Sequence, residues 1–188
     1  DGFYQKDYKG KAYLIEEDIV RPIAKISDFE DQNDLEKNSR MIIFPYIVNG
    51  VANIIPEKDL ARKFPKCYEY LLVAKSELEM RDKGNGEYPV WYAYARTQGL
   101  NFSGKKLLTP TFSNRPRFLL DSGDNALFCN GYGIYEKGPI QLALNQRIDL
   151  SALRKILNSR VMEYYISKTS FTIEGGYPCY QKNFIELF

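Results

Sequence analysis

Histidine is absent from the 188 residues, and cysteine occurs only three times. Without His there is no His-based general acid or base, no His-activated Ser or Cys nucleophile, and no His-containing metal site. Cys67, Cys129 and Cys179 are odd in number and lack any Cys-x-x-Cys pairing, which supports neither a zinc knuckle nor a disulfide framework. All three are expected to be small buried apolar residues. No apolar run approaches the roughly 20 residues that cross a bilayer, and Asp1-Gly2-Phe3-Tyr4 has neither a basic nor an apolar leader. A cytoplasmic setting with no membrane partner is expected. The chain also starts without Met, as expected of a piece of a longer polypeptide or of a processed or tagged chain.

What is present is a globular composition, 44% apolar and 14% aromatic, in a length that fits one domain with or without a short arm. The net charge of +2 hides an uneven distribution. Residues 1–60 carry 8 Lys/Arg against 12 Asp/Glu, residues 61–117 carry 11 against 5, and residues 118–188 carry 7 against 7. The basic block contains the most informative stretch, Trp91 to Arg117, which gathers flat aromatics, Arg, Gln, Asn and small hydroxyls. These are the side chains that read base edges and hold phosphates. A basic block read alone is also what a solvated face looks like.

Element signals point to an α+β chain. Residues 1–40 read as a connecting arm: Ala12 to Ile15 has strand character, Pro22 limits any helix, and the acidic run Ser27 to Arg40 reads as a surface loop or short helix. Met41 to Tyr46 and Val48 to Ile55 are β-branched runs broken by Asn49-Gly50, a hairpin signal. A helix is expected over 57–82, with Leu60, Phe64, Cys67, Leu71, Ala74 and Leu78 on its buried face and Pro65 kinking it or opening a second helix. Alternation over Val90 to Gln98 predicts a strand with Trp91, Ala93 and Ala95 inward and Tyr92, Tyr94, Arg96 and Gln98 outward. Further strands are expected at Lys106 to Thr109, Arg117 to Leu120, Ala126 to Cys129 and Tyr132 to Tyr135, while Ile140 to Ile148 fits strand or helix. A last long helix is expected over 150–168, capped by Asp149 or Ser151, with Leu150, Leu153, Ile156, Leu157, Val161 and Tyr164 as its stripe.

No catalytic or metal constellation accompanies these elements. A nuclease of the Asp…Glu-x-Lys kind needs clustered carboxylates beside a Lys, and Asp7-Tyr8-Lys9 at the very start is too isolated to supply them. Gly84-Asn85-Gly86 and Gly131-Tyr132-Gly133 complete no phosphate loop and read as turns. Asp121 and Asp124 sit in ordinary turn composition. Most aromatics should build core, Trp91 among them, with Tyr94, Tyr132 and Tyr135 as the candidates for stacking on bases.

Several segments in order resemble the TaqI-like C-terminal specificity domain of adenine-specific DNA methyltransferases and type II restriction-modification enzymes. They are Ile42 to Tyr46, Phe64 to Leu71 with Leu78 to Arg81, Trp91 to Gln98, Lys105 to Pro110, Asn130 to Ile134, Ile156 to Arg160, and Gly175-Gly176-Tyr177. The resemblance covers the chain from about residue 40 onward. It implies an α+β domain of small mixed or antiparallel sheets with flanking helices, here 41–188, that recognises duplex DNA in the bacterial cytoplasm. A separate catalytic domain of the same polypeptide would bind S-adenosylmethionine and flip and methylate adenine. Residues 1–40 would be the arm from that domain. This chain has neither the Asn-Pro-Pro-Tyr type of catalytic motif nor a Gly-rich cofactor motif of its own. The loop after Lys105-Lys106 resembles a segment that enters the major groove, which makes Thr111, Ser113, Asn114, Arg115 and Arg117 base-reading candidates, with Arg96 and Gln98 beside them. Lys66, Lys83, Lys105 and Lys106 are the phosphate candidates. Asn158-Ser159 matches the family's Leu-Asn-Ser motif, which is expected to cap or pin the last helix. Two other readings stand against this one: a protein-interaction or scaffold domain of a phage-defence system, and an enzyme whose site lies outside known motifs.

Overall fold

The structure is a computed structural model that describes residues 2–135 and 149–188. The segment Ile140 to Ile148, for which strand and helix both fit, lies outside the described residues. In chain order the first elements are β1 (Phe3–Tyr8), β2 (Lys11–Glu16), β3 (Val20–Lys25), α1 (Gln32–Glu36), β4 (Met41–Ile43), β5 (Tyr46–Asn49), β6 (Val51–Ile54), α2 (Glu57–Lys63) and α3 (Pro65–Glu79). They are followed by β7 (Lys106–Pro110), β8 (Leu119–Asp121), β9 (Leu127–Cys129), β10 (Gly131–Tyr135), α4 (Leu150–Leu157), α5 (Arg160–Thr169) and α6 (Lys182–Ile185). The fold is α+β, with small separate sheets and six helices among the described residues. None of these helices is long and apolar enough to cross a membrane.

Contacts gather the chain into two compact units, residues 1–21 with 41–102, and residues 22–40 with 103–188. These units cut across the division expected at residue 40, because the first 40 residues are shared between them.

In the first unit β1 and β2 pair antiparallel from Phe3↔Glu16 to Tyr8↔Lys11, and β5 and β6 form the hairpin expected at Asn49-Gly50. Gly50 supplies the positive φ of 74° that this turn requires. The expected long helix is two: α2 ends at Lys63, and Pro65 opens α3 at a first-turn position where a missing N–H costs nothing. The next two N–H groups of α3, those of Lys66 and Cys67, donate to Glu16 Oε1 and Oε2 at 2.8 Å each, so a distant carboxylate caps the helix. Ile15, Ile19, Ile55, Leu60, Cys67, Leu71 and Tyr92 form the core.

The strand expected over Val90 to Gln98 is absent. Arg81 explains this: its Nη1 and Nη2 donate to the carbonyls of Ala93 and Trp91 at 2.8 Å, while the Ala93 N–H turns back to Val90 at 3.0 Å. A guanidinium has taken the acceptors that a neighbouring strand would use. Tyr92 and Ala93 are therefore both buried and Ala95 is exposed, against the expected alternation. Trp91 packs against the core as expected and donates Nε1–H to Glu57 at 3.0 Å.

In the second unit β7 is the middle of a three-stranded antiparallel sheet, β10-β7-β8, and all five of its residues are buried. β3 and β9 pair in parallel over Ile23↔Leu127 to Lys25↔Cys129. Gly131 and Gly133, expected in a turn, belong to β10; a Cβ on Gly131 would lie 2.2 Å from the Thr109 carbonyl, so the close strand approach requires glycine. Leu107, Phe118, Leu150, Leu157, Met162, Ile166 and Tyr180 make one core cluster, and Ala24, Ile26, Phe29, Leu108 and Leu119 another.

The expected final helix is also divided, at Asn158-Ser159. Asp149 caps α4, accepting from the Ala152 N–H at 2.6 Å, and Ser159 caps α5, accepting from Met162 at 3.3 Å. The break resets the helical phase. Met162 and Ile166 continue the buried face, whereas Val161 and Tyr164 of the expected stripe are 66% and 67% exposed.

Candidate nucleic-acid interface

The 111–117 loop leaves the buried strand β7 and is held at both ends. At its start the Thr111 carbonyl accepts from the Tyr180 N–H at 2.8 Å, and the Ser113 N–H donates to Pro178 at 3.3 Å. At its far end the Asn158 amide grips Phe118 twice, Oδ1 accepting from its N–H at 2.8 Å and Nδ2 donating to its carbonyl at 2.9 Å. The Gln32 amide does the same to Leu120, with both bonds at 2.9 Å. β8 is the outer strand of its sheet, and alternate residues of a strand turn their peptide groups to the same edge. Two side-chain amides thus stand where the next strand would pair. They close an otherwise open edge and fix the exit of the loop. Between these anchors Asn114 and Arg115 are exposed, and Thr111 is half-buried.

Other expected contacts fall differently. Ser113 is buried and its hydroxyl has no hydrogen-bond partner, so it faces no groove. Arg117 is 9% exposed and pairs through Nη1 with Glu30 at 2.8 Å, which makes it a buried cation and not a projecting reader. Lys106 is wholly buried, with its Nζ 2.9 Å from Asp121 and 3.4 Å from the carbonyls of Gly104 and Gly123. Its exposed neighbour Lys105 stands just before β7, whose residues are buried on both faces of the sheet from Lys106 onward. A phosphate contact from Lys106 is ruled out by that burial.

Arg96 and Gln98 in the first unit are exposed, as are Lys66 and Lys83. Lys66 lies 3.8 Å from Glu69, a solvent-facing pair of little strength. Tyr94 is not a stacking platform: it packs with Phe44 and Tyr46, donates its hydroxyl to the Ile43 carbonyl, and burial pushes its pKa well up. Tyr132 and Tyr135 are half-buried on β10, with the Lys106 ammonium 5.8 Å from the Tyr135 ring centre.

A cleft of about 360 Å³ lies beside the loop in the second unit. Arg115, Arg117, Arg154 and Arg160 line it, with Glu30 and Glu163. Arg154 Nη1 donates to Gln32 Oε1 at 2.8 Å. Gln32, Arg154 and Arg160 are not among the residues expected to contact DNA, although Arg160 ends the Ile156 to Arg160 segment of the resemblance. Arg154 and Arg160 flank the Asn158-Ser159 break, and that break was the available signal; Gln32 sits in a polar run that reads as surface.

No family model matches the chain. It is similar to the type II restriction enzyme and methyltransferase RM.Eco57I of Escherichia coli, with 27% identity over 179 aligned residues. The match takes in 89% of this chain and 18% of the length of that much larger protein.

Proposed function

We propose that this chain is the part of a restriction-modification enzyme that recognises the target sequence in duplex DNA. The observation that carries the reading is the extent of the match: nearly the whole chain aligns with a small share of a bifunctional restriction and methylation enzyme. That is the relation expected of one module within a larger protein. The TaqI-like segments in the sequence support the narrower assignment to a specificity domain, and the loop held at both ends with Asn114 and Arg115 exposed supplies groups suited to base edges.

On this reading Asn114 and Arg115 read bases, Thr111 assists, and Arg96 and Gln98 are further candidates from the first unit. Lys66, Lys83 and Lys105 serve phosphates. Tyr132 and Tyr135 remain candidates for stacking. S-adenosylmethionine and the chemistry of adenine methylation belong to a catalytic domain elsewhere in the parent polypeptide.

Fluorescence anisotropy with a labelled random-sequence duplex tests the DNA assignment. Binding should weaken steeply between about 50 and 200 mM salt, and Lys105→Gln should flatten the log–log slope by up to about one unit. Failure to bind duplex even at the lowest salt contradicts the proposal and favours the protein-interaction reading.

A further inference from the structure

Four arginines line the cleft beside the loop against three carboxylates, Glu30, Asp31 and Glu163, so it keeps a net positive charge. Arg115 and Arg160 have no carboxylate within 4.0 Å among the described residues, and Arg154 is held by the neutral amide of Gln32. Asp31 also lines the cleft, but its carboxylate accepts from the Asn33 and Asp34 N–H groups as a helix cap. Arg117 is more than nine-tenths buried, its Nε–H has no hydrogen-bond partner, and the carboxylate it does hold, Glu30, is 72% exposed. A buried guanidinium facing a solvent-exposed carboxylate is weakly compensated, since such a carboxylate gives up little on leaving. A phosphate could take its place, with two terminal oxygens to accept a guanidinium fork.

Building on the reading of the chain as a duplex-binding module, we propose that this cleft is a backbone-phosphate site. Arg117, Arg154 and Arg160 converge on DNA phosphate, Arg115 at the rim of the cleft is left for the bases, and the Glu30 carboxylate occupies the phosphate's place on Arg117 until DNA arrives. Gln32 and Asn158 are positioning residues: one holds Arg154, and the other fixes the backbone next to Arg117. Glu30 acts as an internal competitor, so its removal should strengthen binding. A purely structural ion pair predicts the reverse.

The test is a salt series of duplex anisotropy on the whole protein and two variants, each with a thermal melt. Glu30→Gln should tighten binding by about twofold to fivefold. Arg160→Gln, at an exposed position, should weaken binding on every sequence alike and lower the salt slope by up to about 0.9. Replacing chloride by inorganic phosphate at equal ionic strength should weaken binding by the wild type more than by Arg160→Gln, because free phosphate competes for the same guanidinium groups; equal weakening of both would overturn the proposal. Unchanged or weaker binding by Glu30→Gln with an unaltered melt also overturns it. If Glu30→Gln melts early, the Arg160→Gln slope decides, and an unchanged slope counts against the site. Duplex binding by the wild type with either of those negative results removes this inference alone, whereas no duplex binding at all removes the underlying reading with it.

Discussion

An ammonium group taken out of water has to keep a counter-charge, and Lys106 keeps Asp121 at 2.9 Å on the partner strand. Removing one member of such a pair strands the other, so Lys106→Ala should lower stability by about 3–5 kcal/mol in urea unfolding. Lys105→Gln next to it should leave stability within about 0.5 kcal/mol. The opposite roles of these two lysines follow from where the buried strand begins, Lys106 opening β7 and Lys105 standing before it, a boundary set by partners distant in sequence. The cysteines were more legible. Cys67 and Cys179 are buried as expected, and Cys129 is half-buried. Burial, and secondarily the nearby Glu16 charge, pushes the Cys67 thiol up to about 12, which keeps it protonated at neutral pH. Alkylation at pH 8 followed by mass spectrometry should therefore label Cys129 before Cys67, and rapid labelling of Cys67 in the folded protein would contradict its placement.

Elements announced by local chemistry were legible, and elements decided at long range were not. The Asn49-Gly50 hairpin, the Pro65 helix start and the Asp149 cap each depend on a few neighbouring residues. The strand expected at Val90 to Gln98 fails because Arg81 takes its carbonyls, and no period in the sequence reports that. The break at Asn158-Ser159 sets α5 out of phase with α4, so the stripe expected of one continuous helix falls on exposed Val161 and Tyr164. Asn158 has a second consequence, because its amide serves the edge of β8. Asn158→Ala leaves both Phe118 peptide groups without their partner and should cost about 1–3 kcal/mol. Hydrogen exchange at the Phe118 amide should accelerate more than exchange in β7, and equal acceleration of both would mean that Asn158 supports the whole unit and not that edge.

At the scale of the molecule, charge bias located the basic segment, 61–117, but only part of the arginine cleft. Arg154 and Arg160 lie in a stretch of balanced charge, and Glu30 and Gln32 belong to a run that reads as surface. The second unit draws on residues 22–40 and 103–188, so no single window of sequence contains its site. The central claim is that an anchored loop presenting Asn114 and Arg115 reads the bases of a duplex. Selection from a random duplex pool, run in parallel with the wild-type protein and Arg115→Ala, tests it most directly. The account predicts that the wild type enriches one recurring site and that Arg115→Ala relaxes one position within it, at a cost of about 1–3 kcal/mol for the original site. Enrichment of the same site by both proteins, or of none by the wild type, would contradict it.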